Sequence, residues 1–199
     1  QRNNTDSYEY RFAGDTLHNQ NPYDVFETGI TFRWGIKEKV IQLPGQVLSM
    51  GTKFPTINGV IMNGISGVFN SKYNYWRFNL SVDQEINVRA VGKIILQANF
   101  AYLLGDVPLD LRFVELGTKS GFTIASKYAF ETMGPSEFYS DLSANLYFYF
   151  EFKQFKTKVK FFKPQITLAT SGGWGRMNNK EFDFGVTYKT MQKGYYESG

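Results

Sequence analysis

Three acidic residues in one short stretch are the first candidates for chemistry. Glu131, Glu137 and Asp141 lie close together in the chain, and neighbouring carboxyl groups can act as a general acid and base. Nothing around them marks a substrate cleft. The sequence therefore favours a structural interpretation, in which Glu137 and Asp141 bond backbone groups or inward-facing side chains where a strand leaves a long loop.

The single histidine, His18, lies in a polar loop. A Ser–His pair like that of outer-membrane lipases would require His18 to stand beside a serine on a barrel wall, and a solvated loop residue is the alternative. One histidine and no cysteine leave only carboxylates as metal ligands. We therefore expect no catalytic residue, no cofactor and no metal site, and we do not expect an enzyme.

Charged residues of both signs alternate along one later segment. Asp83 and Glu85 share a strand face with Arg77 and Arg89. Ion pairing by these inward-facing side chains would keep the interior of a barrel satisfied, and a ring of charges that selects a substrate is the alternative.

Two further patterns carry no specific chemistry. Gly172, Gly173 and Gly175 resemble no phosphate loop, because no helix or Lys-Ser/Thr pair follows, so we expect them at a strand end. The lysines between Lys153 and Lys163 would contact anionic lipid headgroups or form a solvated basic turn.

Long β-strands must position these residues, and the clearest strand runs from Tyr139 to Lys153. Its side chains alternate strictly, and a strand sends alternate side chains to opposite faces. A tilted strand needs about 9–11 residues to cross the hydrocarbon of a membrane, and this segment is long enough. One face carries Leu142, Ala144, Leu146, Phe148, Phe150 and Phe152, and the other carries Asp141, Ser143, Asn145, Tyr147, Tyr149, Glu151 and Lys153.

Alternation elsewhere predicts further strands and no amphipathic helix. Segments 14–23, 40–55 and 105–137 are predicted connections, and ribbons at 121–130 and 181–190 are possible extracellular extensions. The predicted strands span about residues 7–13, 26–37, 56–69, 75–89, 93–104, 139–153, 164–174, 181–190 and 195–199.

Composition narrows the class of protein. No apolar run approaches the roughly 18 residues of a membrane-spanning helix, and the mean hydropathy is −0.33. Aromatic residues make up 18% of the chain, which suits lipid-facing strands and interfacial belts. The net charge of +4 comes from dispersed basic residues, so we expect no nucleic-acid partner.

Two regularities favour a membrane barrel over a soluble sheet. The tight turn at 90–92 contrasts with the long connection at 105–137, and outer-membrane barrels pair short turns with long loops. Large aromatics should also form a girdle at the strand ends that face the long loops. These aromatics are Tyr73, Tyr75, Trp76, Tyr102, Phe138, Tyr139 and Trp174. A soluble antiparallel sheet with one face on a core alternates equally well and is the alternative.

Several short blocks carry a family resemblance. They are Glu38–Ile41, Lys53–Pro55, Gly105–Leu109, the residues Phe130, Met133, Glu137, Phe138, Ser140 and Asp141 of FETMGPSEFYSD, and Gly194–Gly199. From about Trp34 onward the chain resembles the C-terminal outer-membrane barrel region of a family of unknown function, whose members typically carry an N-terminal carboxypeptidase-regulatory-like domain. The resemblance implies a Gram-negative outer membrane and no established activity. The chain departs from the family pattern by lacking the N-terminal domain and the final strands.

Together these observations predict that residues 1–199 form an all-β, antiparallel transmembrane β-barrel region that is an incomplete portion of a larger barrel. We expect a multi-pass, non-enzymatic pore, transport or envelope-assembly component that contacts outer-membrane lipids and other envelope proteins. An outer-membrane enzyme and a soluble barrel that binds an apolar ligand are the alternatives. Arginine at Leu146 should cost roughly 2–4 kcal/mol at a bilayer midplane, whereas arginine at Asn145 should be tolerated.

Overall fold

The described part of the chain is all-β. The sheets are antiparallel, and a single 3-10 turn occupies Leu109–Leu111. Among the described segments, none is a helix of the length and apolar character needed to cross a membrane. The computed structural model describes residues 2–3, 9–12, 16–19, 23–119, 127–155, 163–178, 182–183 and 189–199, and for residues 2–3, 9–12, 16–19, 47 and 182–183 it describes the backbone alone.

The long strands coincide with the segments of strict alternation. The segment predicted at 75–89 forms a strand at Tyr75–Val88, and the segment predicted at 139–153 divides into Tyr139–Ser140 and Leu142–Phe152. In chain order the strands are β1 (Arg2–Asn3), β2 (Glu9–Phe12), β3 (Thr16–Asn19), β4 (Tyr23–Asp24), β5 (Glu27–Gly35), β6 (Val40–Leu43), β7 (Gln46–Ser49), β8 (Thr56–Gly64), β9 (Tyr75–Val88), β10 (Gly92–Leu104), β11 (Phe113–Val114), β12 (Tyr139–Ser140), β13 (Leu142–Phe152), β14 (Thr167–Arg176), β15 (Phe182–Asp183) and β16 (Tyr195–Ser198).

Two segments that the sequence assigned to connections contain strands. β6 and β7 form a hairpin, and Pro44 and Gly45 occupy its turn, where Gly45 has a φ of 81°. A Pro-Gly pair is a strong turn signal, because glycine adopts a positive φ without steric cost. β3 lies within the predicted loop 14–23 and pairs with β2. Most of the possible ribbon at 121–130, and residues 181 and 184–188 of the one at 181–190, lie outside the described residues.

Seven strands form the main sheet. Their order is β16-β14-β13-β10-β9-β8-β5, and every pairing is antiparallel. Neighbours in the sheet follow one another along the chain except for the short strands inserted between them, so the sheet is an up-and-down meander. Within the described residues β5 and β16 each have one neighbour. The described part of the chain therefore shows an open antiparallel sheet rather than a closed barrel.

Pairing in register gives the sheet two chemically distinct faces. On the face we call the apolar face, Leu146 lies in one row with Ala98, Val82, Ile57 and Trp34. On the face we call the covered face, a parallel row contains Asn145, Asn99, Ser81, Asn58 and Arg33.

The connections differ at the two ends of the sheet. At one end lie the tight turn at 89–91 and the connection at 36–55, which contains the β6–β7 hairpin. The opposite end carries the connection 105–138. The predicted alternation of short and long connections therefore holds for 89–91 against 105–138 and fails for 36–55.

The described part of the long connection lies against the main sheet. Its described residues, 105–119 and 127–138, pack against the covered face, and we call these residues the inner layer. Two apolar clusters join the inner layer to the sheet and its loops: one contains Ile95, Phe130, Met133, Tyr147, Tyr149 and Met191, and the other contains Tyr23, Tyr75, Leu103, Val107 and Leu111.

Candidate functional site

The apolar face is exposed across the whole width of the sheet. Leu146 is 55% exposed and Ile30, on the edge strand β5, is 71% exposed. A soluble monomer rarely exposes a contiguous apolar patch larger than a few hundred Å². The other large exposed side chains of this face include Phe32, Trp34, Ile61, Trp76, Leu80, Ile86, Phe100, Leu104, Leu168, Trp174 and Tyr196.

The aromatics that were predicted to form a girdle do not all lie on one face of the sheet. Trp76 and Trp174 are exposed on the apolar face, and Trp76 stacks on Phe78 with their ring centroids 6.1 Å apart. Tyr75 points the opposite way, is buried, and donates a hydrogen bond to Glu27 over 2.6 Å. Since neighbouring strand residues face opposite sides, Tyr75 and Trp76 cannot both belong to a lipid-facing girdle.

Phe138 also departs from the predicted girdle. Its ring packs against Tyr195 with the centroids 5.6 Å apart, and it belongs to the cluster between the sheet and the inner layer. The girdle prediction is therefore wrong for Tyr75 and Phe138.

The polar side of β13 is buried by the inner layer. Ser143 and Asn145 are buried, and Tyr147 is 2% exposed. Phe130 of the inner layer lies on Tyr147, with their ring centroids 5.3 Å apart, and on Tyr195 at 5.2 Å. The alternation predicted from the sequence is thus present. Its burial is the reverse of that in a soluble sheet, because the polar side chains of β13 are the buried ones.

Gly173 leaves the space that Phe130 occupies. A Cβ atom at Gly173 would lie 2.8 Å from Cζ of Phe130 and 2.3 Å from Oδ1 of Asn145. The glycines at 172, 173 and 175 were expected at a strand end, and they lie within β14. Gly173 therefore serves close packing between the sheet and the inner layer.

A buried ion pair joins the inner layer to the start of β13. Nη1 of Arg112 donates a hydrogen bond to Asp141, and its Nη2 donates to the Val107 carbonyl over 3.2 Å. The other carboxylate oxygen of Asp141 accepts from the backbone N–H of Asn178 at 3.0 Å. The Arg112 side chain is fully buried, so its charge needs these partners.

Glu115 makes a second buried polar contact. Its carboxylate accepts hydrogen bonds from the Ser140 hydroxyl at 3.1 Å and from the Asn145 amide at 2.6 Å. Neither Arg112 nor Glu115 was predicted from the sequence. A signal was present, since each stands among apolar residues in the segment PLDLRFVEL, and buried charges are found paired.

Glu197 of β16 bonds the inner layer at residues 131–132. Its carboxylate accepts the backbone N–H groups of Glu131 at 2.8 Å and Thr132 at 3.0 Å, and also the Thr132 hydroxyl at 2.7 Å. Carboxylates bond backbone amides strongly because the charge assists the hydrogen bond. Beside this contact lies a crevice of about 420 Å³ whose lining includes Lys127, Tyr149 and Glu197.

The candidate acids from the sequence have structural contacts. Lys189 donates to Glu137 at 2.5 Å, and the backbone N–H of Gly134 donates at 2.7 Å. The Lys189 hydrogen bond, followed by that of Gly134, lowers the pKa of Glu137 below its usual value. Glu137 and Asp141 thus bond backbone groups and cations at the end of the long connection, and the exposed Glu131 takes part through its backbone.

The predicted ion pairing on β9 involves different partners. Arg77 lies 3.7 Å from Glu27, and Glu85 lies 3.3 Å from Lys93. Asp83 accepts from the side-chain amides of Asn58 at 2.9 Å and Gln97 at 2.5 Å. Arg77 and Glu85 thus form ion pairs, as expected, each with a residue of another strand, whereas Asp83 accepts hydrogen bonds from neutral amides.

The remaining candidate residues, His18 and the lysines at 153–163, lie partly outside the residues that the structure describes. The backbone of His18 belongs to β3, while its side chain lies outside the described residues. Lys153 and Lys163 are described, but the lysines at 156, 158 and 160 are not. The described residues contain no group of three or more His, Cys, Asp or Glu side chains that could hold a metal ion.

With the sheet and the inner layer established, comparison with known families gives one match. Residues 3–104 match the C-terminal domain of a family of unknown function, DUF5686. The chain belongs to this family. No curated protein matches the chain, and no solved structure matches it.

Proposed function

We propose that the chain is a non-enzymatic part of a membrane-embedded antiparallel β-barrel, with its apolar face toward lipid and its covered face toward the barrel interior. The inversion of burial on β13 carries the proposal: Leu146 is largely exposed, while its neighbours Asn145 and Tyr147 are buried. A soluble sheet with one covered face buries its apolar side instead.

The size of the apolar face supports a hydrocarbon environment. Each Å² of apolar surface removed from water contributes about 25 cal/mol, and this face extends over seven strands. Strand lengths agree with this environment, since β9 has 14 residues and β13 has 11, whereas a tilted membrane strand requires about 9–11.

The two edges of the sheet support a larger barrel. Within the described residues, β5 and β16 each pair along one side. Lipid cannot satisfy the backbone groups of an open edge, so we propose that further strands complete the sheet.

Bacterial outer membranes are where barrels of this kind reside, and we propose that location for the chain. The proposed role is a pore, transport or envelope-assembly component that contacts outer-membrane lipids and other envelope proteins. In longer relatives the resemblance implies a carboxypeptidase-regulatory-like domain ahead of the barrel. The bonds of Glu137 and Asp141 to structural partners support a non-enzymatic role.

Flotation with lipid vesicles tests the proposal. We expect the full-length protein, folded in the presence of vesicles, to float with them and to resist extraction by salt or carbonate. A protein that stays folded and monomeric in detergent-free buffer would contradict the proposal.

Neighbouring residues of β9 provide a matched pair for the same experiment. Leu80 lies exposed on the apolar face, and Asn79 is exposed on the opposite face. Leu80→Arg should destabilise the inserted protein by roughly 2–4 kcal/mol, because it places a charge in hydrocarbon, whereas Asn79→Arg should insert normally. Equal flotation and equal stability of the two variants would count against the proposal. Asn145 is unsuited as the control, because it is buried under the inner layer.

A further inference from the structure

Three carboxylates fix the inner layer to the sheet at separate positions. Asp141 binds Arg112, Glu115 binds Ser140 and Asn145, and Glu197 binds the backbone at residues 131–132. The first two contacts are buried. A loop that only rests on a surface keeps its charged groups in water, whereas this layer places Arg112 and Glu115 where only protein partners satisfy them.

Aromatic packing fixes the middle of the layer. Phe130 is fully buried between Tyr147 and Tyr195. The backbone N–H of Tyr128 also donates to the Tyr149 hydroxyl at 2.9 Å. The layer is therefore joined to β13 and β16 by contacts that would all have to break together for it to leave.

The layer occupies part of the side of the sheet that would otherwise border water. The covered face carries the polar row of Asn145, Asn99, Ser81 and Asn58. In membrane barrels the polar face lines the interior, which is either an aqueous channel or filled by other parts of the protein. Here the described contacts favour the filled interior.

We propose that residues 105–119 and 127–138 form a resident plug that closes the barrel interior to water and ions along β13 and β14. The proposal rests on the proposed function, because a sheet outside a membrane has no channel to close. It assigns to the inner layer the regulation of passage, so that transport through this part of the barrel would require the carboxylate contacts to open.

Cysteine labelling tests the plug, and the chain contains no cysteine of its own. Asn79, Ala101 and Ser143 lie in one row of the covered face. Ser143 is buried between contacts of the inner layer, and Asn79 is exposed. In the vesicle-inserted full-length protein, S143C should react with a water-soluble thiol reagent roughly tenfold or more slowly than N79C, since reaction at 143 requires a local opening.

Two variants should loosen the plug, each by weakening a different contact. E197Q weakens the contact with residues 131–132, and F130A removes the central aromatic ring. Each should accelerate the labelling of S143C and increase ion flux through the vesicles. E131Q is the matched control, since the exposed side chain of Glu131 is not part of the contact, and it should leave both rates unchanged. If F130A fails to fold, E197Q carries the comparison.

The outcomes separate the two proposals. Inserted wild-type protein in which S143C and N79C react equally fast would overturn the plug and leave the membrane proposal intact. Unchanged labelling and ion flux in folded E197Q and F130A would also overturn the plug. Protein that does not enter vesicles would overturn both.

Discussion

Arg112 is the residue whose loss should most affect the stability of the fold. Its side chain is fully buried and paired with Asp141. Removing one member of a buried ion pair leaves an uncompensated charge and costs about 3–5 kcal/mol. We therefore expect Arg112→Ala to lower the free energy of unfolding by that amount in urea titrations of vesicle-inserted protein.

Arg33 provides the matched control for this prediction. It forms a bidentate pair with Glu38, with both N–O distances at 2.6 Å, but the Arg33 side chain is 50% exposed. Exposed ion pairs contribute little because water screens them, so Arg33→Ala should be much milder than Arg112→Ala. Equal losses of unfolding free energy in the two variants would contradict the prediction that burial makes the Arg112 pair the more important one for stability.

The pair at Arg33 makes its own prediction about pH. The hydrogen bonds from Arg33, and then from Ser49, lower the pKa of Glu38 from 4.5 to about 2. Since the pKa of Glu38 in the folded protein lies below its ordinary value of 4.5, the Arg33–Glu38 contact stabilises the 36–55 connection fully above about pH 4.5. This stabilisation is lost as the pH falls through about 2. Carboxyl-carbon NMR should find the Glu38 midpoint near 2, and Arg33→Ala should raise it. An unchanged midpoint in that variant would exclude Arg33 as the cause.

At the residue scale, the sequence predicted what kind of contact a carboxylate makes better than it predicted which residue is its partner. It anticipated that Glu137 and Asp141 would bond structural groups, and both do so. It could not provide Arg112 as the partner of Asp141, because the two are brought together by the folding of the long connection. Partners across a sheet depend on register, which alternation along one strand does not define.

At the scale of elements, neighbouring glycines of β14 have opposite surroundings. A Cβ atom at Gly173 would approach Asn145 and Phe130 within 3.0 Å, whereas at Gly172 the nearest atom would be 3.8 Å away. Gly173→Ala should therefore destabilise the protein by about 1–3 kcal/mol through overpacking. Gly172→Ala should be neutral or stabilising, because it restricts the unfolded chain.

Urea titration of both glycine variants measures this difference. The plug also predicts that Gly173→Ala accelerates labelling of S143C while Gly172→Ala does not. Stability losses of similar size in the two variants would contradict the described packing of Phe130 on β14.

Element prediction succeeded where alternation was long and failed where strands were short. β9 and β13 follow the predicted segments within a few residues. The β6–β7 hairpin was missed because each strand has four residues, too few for alternation to stand out, although Pro44-Gly45 signalled its turn. The inner layer was not predicted, since the apolar residues of a long connection do not reveal which face they cover.

At the scale of the whole molecule, the sheet separates two environments. The apolar face is bare, and the part of the covered face around β13 and β14 is packed beneath the inner layer. Sequence alternation predicts two unlike faces but is the same for a soluble sheet and a membrane sheet. The structure adds which of the two faces the rest of the chain covers.

Site-directed spin labelling in lipid vesicles tests the central claim most directly. Single labels along β9 and β13 of the full-length protein should show accessibility to oxygen with a period of two residues. Labels at Leu80 and Leu146 should be highly accessible to oxygen and inaccessible to a polar nickel reagent, and a label at Tyr147 should be inaccessible to both. High accessibility of Leu80 and Leu146 to the nickel reagent, or the absence of a two-residue period, would contradict the account.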